Sequence, residues 1–472
     1  MRKFAIRNSQ FAMPFIVDLF YLLAAPFFLV YILFRSRFFT RKRYRAGLAQ
    51  KFGGVEARDG DRPCLWIHAV SVGEVRTSLP LIVAVSRELP DWEIALSTST
   101  DTGYEVAEKS LAASGCDVRL FYYPFDASWA VRRVFNAIRP GAVVLIELEL
   151  WPNFLMAARA ADIPVFVANG RLTERSARRY AKIPFFGRFL FSLPNSFAVQ
   201  DEAYAKRFRE MGVPSDRLEV LGNLKYDIGL PGAGFERLIQ ETRSILHWPS
   251  ERGDASEEDT QLVLMGGCTH PGEEKVLLEG FADILSVHPA SRLILAPRHI
   301  ERSGEVLELA NAAGLGAVAR WSEWLEKASG QSDLRVLVVD VIGELDRFYE
   351  LADLVFVGGS LVKHGGHNIL EPARFGKPVI FGPWVENFSQ MVEHFLVRKS
   401  VIQVESSEDF RKELKRLVGD LEARQVLAER AQDAASELSG AVCRHVAWLS
   451  SELDLISKVT DDRGDRGPQA VV

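Results

Sequence analysis

Short apolar runs recur along this chain with longer amphipathic segments between them, and that alternation restricts the fold more than any other feature. The first set covers residues 65–70, 94–96, 118–122, 143–146 and 165–168; the second covers 262–265, 293–295, 336–339, 354–357 and 379–381. A strand buried on both faces reads as a continuous apolar run, and parallel strands need long crossovers, usually helices, to join them. The pattern therefore predicts parallel α/β sheets. Between the two sets, residues 229–256 gather Pro, Gly and polar residues, which marks a linker. A chain of 472 residues exceeds the roughly 250 to 300 residues at which single cores stop growing. Two doubly wound, Rossmann-like domains are expected, with ligands outside the carboxyl ends of the strands and the natural site in the cleft where the domains face. The expected boundaries are 1–45 for an N-terminal membrane anchor and basic flank, 46–230 and 231–455 for the two domains, the second carrying the C-terminal helices, and 456–472 for a polar, disordered tail.

Residues 11–34 are apolar except for Asp18, and a run of that length crosses about 30 Å of hydrocarbon. Arg35, Arg37, Arg41, Lys42, Arg43 and Arg45 follow it, against Arg2, Lys3 and Arg7 before it, so the positive-inside tendency leaves the body of the chain cytoplasmic. Pro14, Pro26 and Asp18 interrupt the run, and an interfacial helix that never crosses competes with a spanning one. Both readings put the protein on a membrane. The net charge of -5 argues against nucleic acid as the bulk partner. Cys64, Cys116, Cys268 and Cys443 are scattered without ligand spacing, so neither a zinc site nor a disulfide scaffold is supported and a reducing compartment is the simpler inference.

In the first domain, Glu74 lies just past a strand in a Ser71-Val72-Gly73 turn that opens a helix. Its position suits a general base, and a carboxylate complementing the helix dipole is the alternative. Glu147 and Glu149 end an apolar strand and are expected on one face, because strand side chains alternate; a structural salt bridge is the competing reading. Lys225 suits a cation that neutralises a leaving group, with a solvated surface lysine as the default. Arg171, Arg175, Arg178, Arg179 and Lys182 suit an anionic lipid head group or a solvated face paired with Glu174.

In the second domain, Gly266, Gly267, Cys268 and Thr269 follow a strand and precede a helix expected near Pro271, giving a phosphate cradle. Pro297, Arg298 and His299 end the next strand, and Ile342, Gly343 and Glu344 stand where backbone can read a base. Gly358, Gly359 and Ser360 follow another strand; Asn368 opens a helix with Glu371 three residues on, reading either as a nucleotide-sugar site or as a capping box. His364 and His367 are separated by two glycines and do not form a metal motif. No phosphate-binding loop of the Walker type and no dinucleotide fingerprint is present.

The segments HAVSVGE, IELELWPN, NGRLTERSARRY, GNLKYD, GGCTHPGEE, APRHIER, IGELDRFY and GGSLVKHGGHNILEPARFGKPVIFGP occur in an order and spacing that closely resemble the Kdo transferases, and they span nearly the whole chain. The resemblance implies the glycosyltransferase B architecture and transfer of 3-deoxy-D-manno-octulosonic acid (Kdo) from CMP-Kdo to a lipid A precursor at the cytoplasmic side of the bacterial inner membrane, with inversion and with no metal required. It implies Glu74 as general base, Glu147 and Lys225 as transition-state stabilisers, and Pro297, Arg298, Ile342, Gly343, Glu344, Asn368 and Glu371 as CMP contacts. Cys268 stands where serine is common and Ile342 where methionine is usual. A UDP-sugar transferase and a non-catalytic nucleotide sensor on the same scaffold are the alternatives.

Overall fold

A computed structural model describes residues 47–227, 234–246, 248, 261–326 and 334–461, with residues 14, 15, 17–19 and 21–23 near the N-terminus. The chain forms two compact units. Unit 1 comprises residues 1–227 and 440–472, and unit 2 comprises 228–439. The break at Asp227 lies close to the expected 230, but the helix Ala441–Asp461, expected with the second domain, belongs to the first. That helix also runs through residues 456–461, expected to be disordered; the rest of the expected tail lies outside the described residues. The expected linker holds a helix, Phe235–Ile245, whose Ile239 and Thr242 are buried.

Unit 1 carries a parallel sheet of seven strands: β1 (Cys64–His68), β2 (Glu93–Thr98), β3 (Val118–Tyr122), β4 (Ala142–Ile146), β5 (Val165–Gly170), β6 (Ser196–Val199) and β7 (Leu218–Val220), in the order β3-β2-β1-β4-β5-β6-β7. Alternate residues supply its two faces. Trp66, Phe121, Phe135 and Phe154 pack on one side, with the Trp66 ring 5.0 to 5.4 Å from the other three. Leu65, Ile67, Val144 and Phe166 pack on the other, where the helix Ala441–Asp461 adds Trp448, Leu449 and Leu453. The strand order reverses between β1 and β4, which is where open α/β sheets bind ligands.

Unit 2 carries a second parallel sheet: β8 (Val263–Thr269), β9 (Arg292–Pro297), β10 (Ala317–Arg320), β11 (Leu334–Val338), β12 (Leu354–Val357), β13 (Val379–Phe381) and β14 (Ile402–Gln403), in the order β10-β11-β9-β8-β12-β13-β14. Its reversal falls between β8 and β12. Leu264, Phe281, Leu293, Leu295, Phe356 and Phe410 are among its core residues.

Most of the expected anchor, residues 11–34, lies outside the described residues, and among the described ones no helix is long and apolar enough to cross a membrane. Asp18 is no isolated charge. Its carboxylate accepts from the Ser128 N–H at 3.0 Å and from Asn153 Nδ2 at 2.8 Å, while the Tyr21 hydroxyl donates to Asp126 at 2.9 Å. These bonds dock the polar side of the segment on unit 1, at the start of the helix Ser128–Ile138.

Candidate active site

Glu74 occupies the third position of the helix Val72–Glu88, which begins immediately after the β1 reversal strand. Ser71 caps this helix; its hydroxyl donates to Glu74 at 2.9 Å, and the Val70 N–H donates to the other carboxylate oxygen at 2.9 Å. A carboxylate tied at one oxygen to the cap hydroxyl and at the other to the preceding N–H is held in one orientation, and each oxygen retains a further acceptor direction. Burial raises the Glu74 pKa and the charge of Glu147 adds to it, against the opposing hydrogen bonds from Val70 and Ser71. The carboxylate is therefore tied to the start of the helix and shifted toward its protonated form.

Glu147 and Glu149 do not share a strand face, because β4 ends at Ile146. Glu147 instead adopts the left-handed region with φ 62, an uncommon conformation for a non-glycine residue, and its N–H donates to the Ala168 carbonyl at 3.0 Å. Burial raises the Glu147 pKa while Arg171 and Lys225 pull it down. The Glu149 carboxyl is pushed up to about 7, chiefly by burial and then by Glu74, against a 2.9 Å hydrogen bond from the Trp151 indole. Three carboxylates and two cations thus interact at the β1/β4 switch point.

Lys225 sits in the short 3-10 turn Leu224–Tyr226, which is anchored by side chains from neighbouring strand ends. Asn169, at φ 56, accepts from the Leu224 N–H at 3.0 Å, and its carbonyl accepts from Gln200, which in turn accepts from Asn223. His445 completes the network from the last helix: its Nε2 accepts the Asn169 N–H at 3.1 Å while Nδ1 donates to Ala441. The sequence pattern left Arg171 between a lipid head group and a solvated face and missed its action on Glu147; its position one residue beyond β5 carried the signal. Arg178 pairs with Glu174 at 3.2 Å on a helix without buried residues, matching the solvated-face reading. A polar cavity of about 760 Å³, lined in part by Arg62, Arg87, Cys116 and Arg119, opens at the N-terminal ends of β2 and β3, away from these carboxylates.

In unit 2 the phosphate cradle is corrected. Gly266 and Gly267 lie within β8, and a Cβ there would meet Leu277 at 2.4 Å or the Tyr349 hydroxyl at 2.6 Å, so these glycines serve packing. Thr269 is fully buried, its hydroxyl donating to Glu274 at 2.9 Å, and the helix expected near Pro271 begins at Glu273 with Gly272 as its cap. The N–H groups of Gly359, Ser360 and Leu361, with that of His270, all donate to the buried Glu273 carboxylate at 2.8 to 3.0 Å. This internal carboxylate occupies the anion-binding backbone that the Gly358-Gly359-Ser360 loop would offer a phosphate.

Arg298 is exposed beyond β9, where Pro297 is the last strand residue. Ile342 is 81% exposed and Gly343 has φ 87 with open space around it, whereas Glu344 accepts from Trp321 at 3.1 Å and pairs with Arg347. Asn368 does not open a long helix. It accepts from the Leu370 N–H at 3.1 Å and donates to Glu371 at 3.2 Å, ahead of a single turn, Leu370–Ala373. One turn carries little dipole, and the charge of Arg298 acts on Glu371, His270 and His367. Burial raises the Glu371 pKa.

Residues 44–228 match the family described as 3-Deoxy-D-manno-octulosonic-acid transferase (kdotransferase), and residues 275–434 match the glycosyl transferases group 1 family. The chain is 32% identical over 418 residues to the 3-deoxy-D-manno-octulosonic acid transferase of Haemophilus influenzae, covering 87% of this chain and 92% of that one. The chain belongs to the Kdo transferase family. It is a glycosyltransferase of lipopolysaccharide biosynthesis. The Chlamydophila psittaci transferase of the same description is 32% identical over 81% of this chain and 83% of its own. Among solved structures, the C-terminal CMP-Kdo binding domain of WaaA from Acinetobacter baumannii is 28% identical, covers 43% of this chain and 98% of its own, and gives a TM-score of 0.37.

Proposed function

We propose that this Kdo transferase moves the sugar acid from CMP-Kdo to a lipid A precursor by direct displacement with inversion, in a glycosyltransferase B arrangement. The observation that carries the reading is the grouped set of Glu74, Glu147, Glu149, Arg171 and Lys225 at the β1/β4 switch point of a Kdo transferase-family unit. Glu74 takes the proton of the acceptor hydroxyl, the hydroxyl oxygen bonds to the anomeric carbon opposite the phosphate, and the bond to CMP breaks. The raised pKa of Glu74 matches this role, because it makes the carboxylate a stronger base for the acceptor proton. Glu147, poised between Arg171 and Lys225, holds those cations where charge develops. The donor contacts are Arg298, Glu371 and Asn368, with Pro297, Ile342, Gly343 and Glu344 along the same strand ends.

The acceptor is a lipid, and we place the enzyme on the cytoplasmic side of the bacterial inner membrane. Phe15, Leu19, Leu22 and Leu23 are 70%, 45%, 70% and 64% exposed at helical spacing, while Asp18 and Tyr21 face unit 1. An outward apolar stripe over a docked polar side suits a helix lying in the interface. Exposed Ile183 and Phe185 add apolar surface to the same unit. The test is transfer from CMP-Kdo to a tetraacylated lipid A precursor, read by product mass, with CMP and UDP as competitors. A mass gain of Kdo, inhibited by CMP over UDP, is expected; inhibition by UDP alone overturns the donor assignment.

A further inference from the structure

The reversal of the unit 2 sheet between β8 and β12 brings together four imidazoles from three strand ends: His270 after β8, His299 after β9, and His364 and His367 after β12. His270 lies at their centre. Its ring stacks on His364 at 4.1 Å and 18°, runs nearly parallel to His367 at 7°, and meets the edge of His299 at 6.0 Å. Its Nε2 is 2.9 Å from Nε2 of His367, so one of the two nitrogens carries a hydrogen and the other accepts it. Gly359, at φ 67, leaves room for this pair; a Cβ there would stand 3.0 Å from the His367 ring. His270 is buried, His367 half-buried, and His299 and His364 exposed, so the group opens to solvent on one side.

Among the described residues, the surrounding charges leave the cluster without an acidic partner. Glu273 is bound by four backbone N–H groups and Glu274 by Thr269 and Arg302, while Arg302 is held between Glu274 and Glu305. Glu371 is bonded to Asn368. Arg298 is exposed and adds positive potential to both His270 and His367. Burial, followed by the neighbouring imidazoles and arginines, brings both rings down to about 4. Stacked ring faces do not direct several lone pairs at one metal ion; neutral imidazoles beside a cation instead form a site that lacks one negative charge. An anion placed there favours the imidazolium form and draws a proton from solvent.

We propose that His270, His299, His364 and His367, with Arg298, form the subsite for the carboxylate of the acid sugar on the donor, the anion entering over His364 with uptake of one proton by the His270–His367 pair. This rests on the CMP-Kdo reading above. The subsite separates the sugar acid from the nucleotide: CMP alone lacks the carboxylate and does not need the histidines.

The test uses the full chain carrying Glu74→Ala, to hold the donor unreacted, with His364→Gln and His367→Gln added singly. Calorimetric titration with CMP-Kdo and with CMP, at pH 6 and pH 8 and in two buffers of different ionisation enthalpy, reads affinity and proton uptake together. We expect CMP-Kdo to bind at least about tenfold more weakly at pH 8 than at pH 6, with about one proton taken up, and CMP, whose own phosphate ionises near pH 6, to take up no proton and not to weaken at pH 8. Each glutamine variant is expected to weaken CMP-Kdo about tenfold while CMP binding stays within about twofold, the retained CMP affinity also reporting that unit 2 is folded. Equal weakening of both ligands assigns the histidines to the phosphate and overturns the proposal, as does unchanged CMP-Kdo binding or no proton uptake. Absence of binding by either ligand to the Glu74→Ala parent overturns the donor reading itself, and the subsite with it.

Discussion

Replacing Glu149 by glutamine tests the electrostatics of the unit 1 site quantitatively. The carboxyl titrates near 7 in the folded chain against a reference value of 4.5, and the shift corresponds to about 3 kcal/mol at about 1.4 kcal/mol per pH unit. The folded state holds the proton more tightly than the unfolded state, so stability is greatest below the unfolded pKa near 4.5 and is lost as pH rises through 7. Glutamine copies the protonated acid and does not ionise. The substitution should therefore be near neutral at pH 4 and should stabilise unit 1 by up to about 3 kcal/mol at pH 8, an upper bound because water screens part of the cost in a half-buried group. In a unit of this size that is about 6 to 12 °C in the melting temperature. Scanning calorimetry of both proteins across pH 4 to 8 gives the answer. A gain independent of pH, or no gain at pH 8, would show that burial and Glu74 do not set the Glu149 titration, and the electrostatic account of the site would fall.

Glu74→Ala should lower transfer by at least about two orders of magnitude with CMP binding retained, measured by product formation and titration; near-normal transfer removes it as the base. Glu273→Ala leaves four backbone donors without their acceptor and should destabilise unit 2 by about 3 kcal/mol or more, read as a drop in its melting transition; a drop below about 1 kcal/mol would mean that another group fills the loop. Leu22→Asp should release the chain from anionic lipid vesicles in a flotation assay without changing unit 1 stability, since Leu22 is exposed. Transfer should persist in excess chelator, because a leaving nucleoside monophosphate carries fewer charges than a nucleoside diphosphate for the side chains to offset.

The central strands were legible because strands buried on both faces leave unbroken apolar runs such as residues 143–146 and 354–357. β6 was not, since its Ser196 and Ala198 are buried by being small rather than apolar in bulk. β7 and β10 lie at sheet edges with exposed or half-exposed residues, so backbone pairing defines them and composition does not. Apolar runs ending in polar residues marked Glu74, Glu147 and Arg298 as strand-end positions, since each follows a central strand closely. Period-two logic failed for Glu147 and Glu149 because the left-handed backbone at Glu147 ends the strand. The glycine loops failed for a different reason. A loop of free N–H groups looks alike whether a phosphate or a protein carboxylate fills it, and the filling residue, Glu273, stands 86 positions from Gly359.

The helix Ala441–Asp461 closes one face of the unit 1 core, and Asp227 is tied to its start through the N–H groups of Gly440 and Val442. Unit 1 is thus discontinuous in the chain while unit 2, residues 228–439, is contiguous. During synthesis at about 5 to 20 residues per second, unit 2 can finish while Leu65, Ile67 and Phe166 still wait for Trp448 and Leu449, leaving that apolar face open for about 10 to 40 s. A nonsense codon that removes only the last thirty or so residues would strip unit 1 of part of its core and leave unit 2 complete.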